Sequence, residues 1–516
     1  REGQVPLLED RAGAAAGPSW RVAAARAALV SCCGLGLLAA ASTSGAKLPL
    51  RPAGLPAAPQ PSSLAAGAEL CPSAAAGGRG QPPWLYIVGG PQPLSRQRHW
   101  VPRMCVPSYE GPNCSNISSW HGVVTLCLDG QAIEGVKMKT RGHVSEMFPK
   151  HQYELVLPRP MSLMGMAPDT RWVLAASFID TSFQRNPLAF DIYRLLGGWA
   201  PSLRYVNVRW HGVDYGLYYV GEQPEVSESR IRLPDTQPAN PAESAFLLTA
   251  DWKKAGVLAI KTPNTSTYFN VIYPPESQVS APRRSFLQQL LDEVDRRALE
   301  KSALAGQGSL EEILDFPSFV RYFIVQELAK DVDGYAFSNF MSVQAGKLYH
   351  ASPWDFDLAF DFDCTGKYFT NIFTGKVSLG VEGWNVENSR SMGYWTGKDG
   401  WGDGIWDFGS NKRQLFTNVW RHPRFARAFA ATWREARRGP LVDAVLLALV
   451  QRRSAEIEAS AERDLGLWRN SNRTAFWEAC HPEDSRDFRS ATRHLGGYLQ
   501  ERARWMDAHV GELLAE

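Results

Sequence analysis

Aromatic residues are nearly missing from the start of this chain. It has 18 Trp, 16 Tyr and 23 Phe in 516 residues, yet only Trp20 precedes Trp84. A segment without large apolar side chains cannot bury enough surface to offset its conformational entropy. The folded part is therefore expected at 84–516, with 1–83 an Ala-, Pro- and Gly-rich disordered segment. An excess of either charge is missing too. Fifty-five Lys and Arg face 53 Asp and Glu, a net of +2, which gives no electrostatic basis for a nucleic-acid polymer as partner. No Cys-x-x-Cys pair occurs, so a zinc ribbon or thioredoxin-type site is excluded. There is no internal repeat. Walker A, Gly-x-Gly-x-x-Gly and His-Arg-Asp sequences are all absent, which removes the P-loop signature and two of the ordinary protein-kinase motifs.

One apolar run interrupts the first segment. Arg11, Arg21 and Arg26 precede an uncharged stretch at 27–46 with small residues toward its end. A basic flank and a short apolar centre read as a secretory signal peptide. A stretch of about 20 uncharged residues can also just span a bilayer, so an uncleaved signal anchor is the alternative. It would leave the C-terminal bulk lumenal or outside. An Ala-rich extension or transit segment is the third reading. The first two send the folded part through the secretory pathway to a lumenal or extracellular location. Asn113, Asn116, Asn264 and Asn472 open possible N-glycan acceptor triplets. Of eight cysteines, Cys32 and Cys33 fall in the apolar run. Cys71, Cys105, Cys114, Cys127, Cys364 and Cys480 remain, with Cys105, Cys114 and Cys127 placed to staple a local loop in an oxidising compartment.

Beyond residue 84 the pattern changes along the chain. Alternating or β-branched runs at 84–88, 122–128, 136–140 and 152–157 predict strands, the last closed by Pro158. A helix is predicted over 188–196, ending at Gly197-Gly198. A hairpin follows, 205–210 and 215–220, turning at His211-Gly212. Amphipathic runs at 284–304, 310–327, 423–437, 441–465 and 490–514 predict helices. The expected class is α+β, strand-rich first and helical after.

The most unusual stretch is Pro353-Trp-Asp-Phe-Asp-Leu-Ala-Phe-Asp-Phe-Asp363. If extended, it puts Asp355, Asp357, Asp361 and Asp363 on one face and Phe356, Leu358, Phe360 and Phe362 on the other. Aligned carboxylates repel unless a cation, hydrogen bonds or solvent relieves them. Hard oxygen ligands suit Mg²⁺, Mn²⁺ or Ca²⁺; a solvated edge strand is the plainer reading. Just upstream, Asp331-Val-Asp-Gly334 is followed by Asn339. An acid, then an Asn, then a metal-type Asp is the order used in phosphoryl transfer.

These residues carry a family resemblance. Lys139-Thr-Arg-Gly-His with Phe148-Pro-Lys150, Phe178-Ile-Asp-Thr with Arg185-Asn186, Tyr215-Gly-Leu-Tyr with Glu222, and Glu327-Leu-Ala-Lys-Asp-Val-Asp-Gly-Tyr-Ala-Phe-Ser338 running into Pro353-Trp-Asp-Phe-Asp357 resemble, in order and spacing, the CotH family of spore-coat and invasin-like atypical protein kinases. The resemblance implies a two-lobed kinase-like fold over 84–516, with an N-lobe near 84–240 and a C-lobe near 241–516. It also implies transfer of the ATP γ-phosphoryl group, with Mg²⁺ or Mn²⁺, to protein Ser or Thr. Carried over, Asp333 is the catalytic acid, and Asp355, with Asn339 and Asp357, the metal ligands. Lys150 and Arg141 bind phosphate, and Glu222 orients Lys150, with Asp180 or Asp191 as the alternatives for that role. The chain departs from the family at His143-Val144 and lacks a Gly after the Asp-x-Asp pair, so a pseudokinase acting in surface adhesion or coat assembly is the alternative.

Overall fold

The structure is a computed structural model that describes residues 71, 81–90, 121–142, 145, 150–234, 238–251, 253–254, 256–300, 308–331, 334–361, 380–387, 414–469 and 487–514. Asp333, Asp363, Cys105, Cys114, the 27–46 run and the acceptor triplets at Asn113, Asn116 and Asn472 lie outside these residues. Among the described residues no helix is long and apolar enough to cross a membrane.

The first strands come from period-two burial. In β2 (His121–Leu128), β3 (Gln131–Arg141), β4 (Gln152–Met161) and β5 (Asp169–Ala175), apolar side chains turn inward. With β1 (Trp84–Val88), β6 (Leu203–Trp210) and β7 (Val213–Gly221) they close a seven-stranded barrel in the order β1-β2-β3-β4-β5-β7-β6. The pairs are antiparallel except β1 with β6, which closes the ring in parallel. Closure leaves the barrel no open edge. Its interior is filled by Leu85, Val124, Met138, Leu155, Trp172, Val206 and neighbours. The β6–β7 hairpin turns where expected, with His211 and Gly212 both at positive φ, the left-handed conformation a two-residue turn needs. Pro158 does not close β4. The strand runs on to Met161, because its pairing with β5 is interrupted between Val156 and Met161 and Pro158 has no ladder bond to break.

Helix α1 (Arg185–Leu195) follows the barrel's fifth strand and ends at Gly197 (φ +81°). Gly198 is required there, since a Cβ would fall 2.0 Å from the Tyr193 ring. The C-terminal part holds a sheet that the sequence reading did not place. Strands β8 (Phe246–Ala250), β9 (Ala259–Lys261), β10 (Tyr268–Tyr273), β11 (Asn339–Gln344) and β12 (Lys347–Ser352) pair in the order β12-β11-β8-β10-β9. β8 is buried on both faces and β9 is only three residues long, so neither carries a readable alternation.

Around them lie α2 (Ala281–Glu300), α3 (Leu310–Ile313), α4 (Phe316–Ala329), α5 (Gln414–Trp420), α6 (Pro423–Arg438), α7 (Asp443–Arg469) and α8 (Phe488–His509). The single helix expected over 310–327 is two. Asp315 breaks the run and caps α4 through Ser318 N, with Pro317 in the first turn. A large apolar core joins α1, this sheet and the helices. The α+β class is thus observed, but a closed barrel is not a clear kinase N-lobe. The disulfide also differs from expectation. Cys127 is joined to Cys71 rather than inside a 105–127 loop, and so ties the segment before β1 to β2.

Candidate functional site

The 353–361 segment is not a strand. It leaves β12 as an irregular turn, with Asp355 (φ +67°), Phe360 (+55°) and Asp361 (+55°) in the left-handed region. The four-carboxylate face is therefore replaced by something more selective. Phe356 and Phe360 bury themselves, Asp361 turns to His494 Nε2 at 3.1 Å, and Asp355 and Asp357 stay together.

Helix α1 holds this turn. Asn186 Oδ1 accepts from Phe356 N at 2.8 Å, and its amide donates to Asp357 Oδ1. Arg185 Nε donates to Ala359 O at 2.8 Å, and its guanidinium pairs with Asp180. Asp180 in turn accepts from Arg185 N and Ser182 N at the start of the helix. The Phe178-Ile-Asp-Thr and Arg185-Asn186 blocks thus form a clamp on the acidic turn. Charge-assisted bonds of this kind are the stronger class.

Asp355 is exposed and Asp357 half-buried by surface area, yet burial pushes both carboxyls up, Asp357 well above the usual range. The two statements fit a concave floor, which water reaches from one side while protein surrounds the rest. For Asp357 the charges of Asp355 and Asp180 add to burial. For Asp355 the Ser338 hydroxyl, 3.1 Å from Oδ2, and the Arg141 charge work the other way.

Arg141 enters from the end of β3. Its guanidinium carbon sits 5.4 Å over the Trp354 ring. Burial lowers its pKa against the attraction of Asp355, Glu154 and Asp357. A half-buried cation thus faces two acids.

Lys150 is elsewhere. Fully buried, its Nζ donates to Leu217 O at 2.6 Å and pairs with Asp464 of α7. It sits 4.6 Å from the Tyr218 ring centre. The expected Lys150–Glu222 pair is not formed; Glu222 instead accepts from Ser202 N at 2.7 Å. Desolvation lowers the Lys150 pKa and raises that of Asp464, each opposed by the other's charge. Gly216 makes the contact possible. At φ +83°, a Cβ there would lie 2.1 Å from the Asp464 carboxylate, which also accepts from Leu217 N. Asn339 is wholly buried, with its carbonyl taken by Tyr322 OH and its amide by Phe337 O. The neighbouring Ser338 is the one that touches Asp355. Sequence reasoning had no signal for Ser338, because a serine beside an asparagine has no distinguishing pattern.

The Glu327-to-Asp331 block is a support. Glu327 is wholly buried, accepting from Tyr335 OH and Val386 N at 2.8 and 2.9 Å and facing Arg502 of α8. Arg502 donates to the carbonyls of Glu327, Val381 and Gly383. Lys330 donates to the carbonyls of Gly380 and Glu382. Gly334 stands where a Cβ would strike the Gln326 amide at 2.0 Å. Together these contacts hold the described backbone on either side of residues 332–333.

Among the described residues no group of three or more His, Cys, Asp or Glu is placed to hold a metal ion. Two carboxylates nevertheless fit a divalent cation of the Mg²⁺ type, which takes one or two protein carboxylates and completes its shell with phosphate oxygens and water. The desolvated, mutually repelling Asp355 and Asp357 are such a pair.

A closed barrel packed on a helical body, with Arg141 near Asp355 and Asp357, defines an α+β protein with a cation set beside two acids. The sequence profile of the CotH family, described as CotH kinase protein, matches residues 138–506. The chain belongs to that family, and its name implies a kinase-like function. No protein of curated function matches the chain.

Proposed function

We propose that the chain is a secretory-pathway or extracellular phosphotransferase that moves the ATP γ-phosphoryl group to Ser or Thr of a protein. The observation that carries this reading is Arg141 set opposite the Asp355–Asp357 pair at a floor open to solvent. In this reading the barrel side acts as an N-lobe and the helical side as a C-lobe. Asp355 and Asp357 would hold Mg²⁺ or Mn²⁺, which supplies charge neutralisation on the phosphate oxygens. Arg141 binds a phosphate by charge-assisted hydrogen bonds. Asp333 accepts the proton of the substrate hydroxyl as its oxygen bonds to the γ-phosphorus and the bond to the β-phosphate oxygen breaks, releasing ADP. Lys150, Glu222 and Asn339 act as supports. Lys150 holds the barrel to α7, Glu222 holds the backbone before β6, and Asn339 anchors the start of β11 beside Ser338.

The sealed position of Lys150 favours one second reading, a non-catalytic adhesion or coat-assembly protein with the same scaffold. Incubation of the purified chain with γ-labelled ATP and Mn²⁺ separates the two. Transfer to itself or to a Ser-rich protein is expected, falling about a thousandfold or more in Asp333→Asn and Asp355→Ala. No transfer by the wild type, with no nucleotide- and metal-dependent rise in Tm, would overturn the phosphotransferase.

A further inference from the structure

We propose that Asn264 is an N-glycosylation site, taking an oligosaccharide from a lipid-pyrophosphate donor. The inference rests on the secretory route proposed above and reaches beyond the phosphotransferase. Asn264-Thr265-Ser266 is the one acceptor triplet among the described residues, and it forms the tip of the hairpin between β9 and β10. The hairpin is rigidly built. Thr262 N donates to Thr267 O at 3.0 Å, and the Thr262, Thr265 and Thr267 hydroxyls bond one another at 3.1 and 2.9 Å. From α2, the buried Asp295 carboxylate accepts from the backbone N–H groups of Asn264 and Thr265 at 2.8 and 3.2 Å.

Every member of that network is a backbone group, a threonine hydroxyl or Asp295. The Asn264 side-chain amide and the Ser266 hydroxyl take no part in it, and Asn264 is exposed. The turn thus holds its own backbone while presenting the acceptor amide to solvent, which is where a bulky, hydrated glycan can be carried without disturbing packing. The disulfide between Cys71 and Cys127 is the independent sign of an oxidising compartment in which the donor is found.

In the transfer, the Asn264 amide nitrogen bonds to the anomeric carbon of the donor's first sugar. The bond from that carbon to the pyrophosphate oxygen breaks, and the lipid pyrophosphate leaves with the electron pair. The amide proton passes to the transferase's base. Because Thr265 is buried in the finished turn, the transferase reaches the triplet before the hairpin closes. The strand beside the tip, β9, is the outer strand of its sheet. A glycan at Asn264 therefore shields an edge that would otherwise invite pairing with another chain.

The test is to express the full chain in a eukaryotic secretory host, release N-glycans enzymatically in ¹⁸O-water, and map the peptides. The expected result is Asn264 converted to ¹⁸O-labelled Asp, with Asn264→Gln and Ser266→Ala each losing one glycan step on a gel. Unmodified Asn264 in a chain whose Cys71 and Cys127 are oxidised, and whose other triplets carry glycans, would overturn this site alone. A chain with reduced cysteines and no glycan at any triplet would overturn the secretory route and this site with it.

Discussion

The barrel interior and the buried centre of the helical part solve the same packing problem with opposite chemistry. Inside the barrel, Leu85, Leu126, Met138, Leu155 and Trp172 fill the space with no charged side chain among them. At the helical centre, Glu327, Arg502 and Lys330 are buried among phenylalanines and tryptophans, and each is satisfied by backbone or charge. Burying ions gains little stability over apolar packing, but removing one partner leaves an uncompensated charge. The charged centre is therefore a device for placing backbone. Its bonds hold the 380–386 segment against the C-terminal end of α4.

If that contrast holds, the costliest single change lies in the charged centre. Glu327→Ala leaves Arg502 unpaired and should lower stability by about 3–5 kcal/mol, read from urea unfolding. A loss under about 1 kcal/mol would mean that water replaces the carboxylate and that the centre is looser than described.

The barrel counterpart is Leu155→Ala, expected to cost about 3 kcal/mol through lost transfer energy and a residual cavity. It should leave the affinity for nucleotide and Mn²⁺ unchanged in the folded fraction. A matching loss of that affinity would show that the barrel interior and the acidic floor are coupled, and would break the comparison.

The smallest effect is in pH dependence. Burial, with the Arg502 charge, pushes the Lys330 ammonium from 10.5 down to about 8. Between those values the unfolded chain keeps a proton that the folded chain has released. The unfolded state thus binds more protons, and the Lys330 contribution to stability rises with pH through this window. Relative to Lys330→Met, the wild type should gain about 1–3 kcal/mol across it, at about 1.4 kcal/mol per unit. Parallel stability curves for the two proteins from pH 7 to 10 would show that Lys330 is solvated.

The barrel was legible in β1 to β4 and in the β6–β7 hairpin, whereas β5 (Asp169–Ala175), buried over its last four residues, was not predicted. Trp84–Val88 and the β6–β7 hairpin fall where periodicity and the His211-Gly212 turn put them. The second sheet was not, since Phe246–Ala250 is buried throughout and shows no alternation. The site was legible in part. Residue types and the family order selected Asp355, Asp357 and Arg141, which the fold brings together. The same reasoning assigned Lys150 to phosphate, whereas its partner, Asp464, lies 314 residues away.

By itself, then, the sequence determined the α+β class, the family and the acid-rich stretch around Asp355, because composition, periodicity and motif order are properties of neighbouring residues. Only the tertiary structure decided which of those acids stay together. The left-handed turn at Asp355 sends Asp361 to His494, while the Asp180–Arg185–Asn186 clamp keeps Asp357 beside Asp355. The physical reason is range. A carboxylate's role depends on the dielectric and the charges around it, and those are supplied by α1, β3 and α8, segments that meet only when the chain has folded.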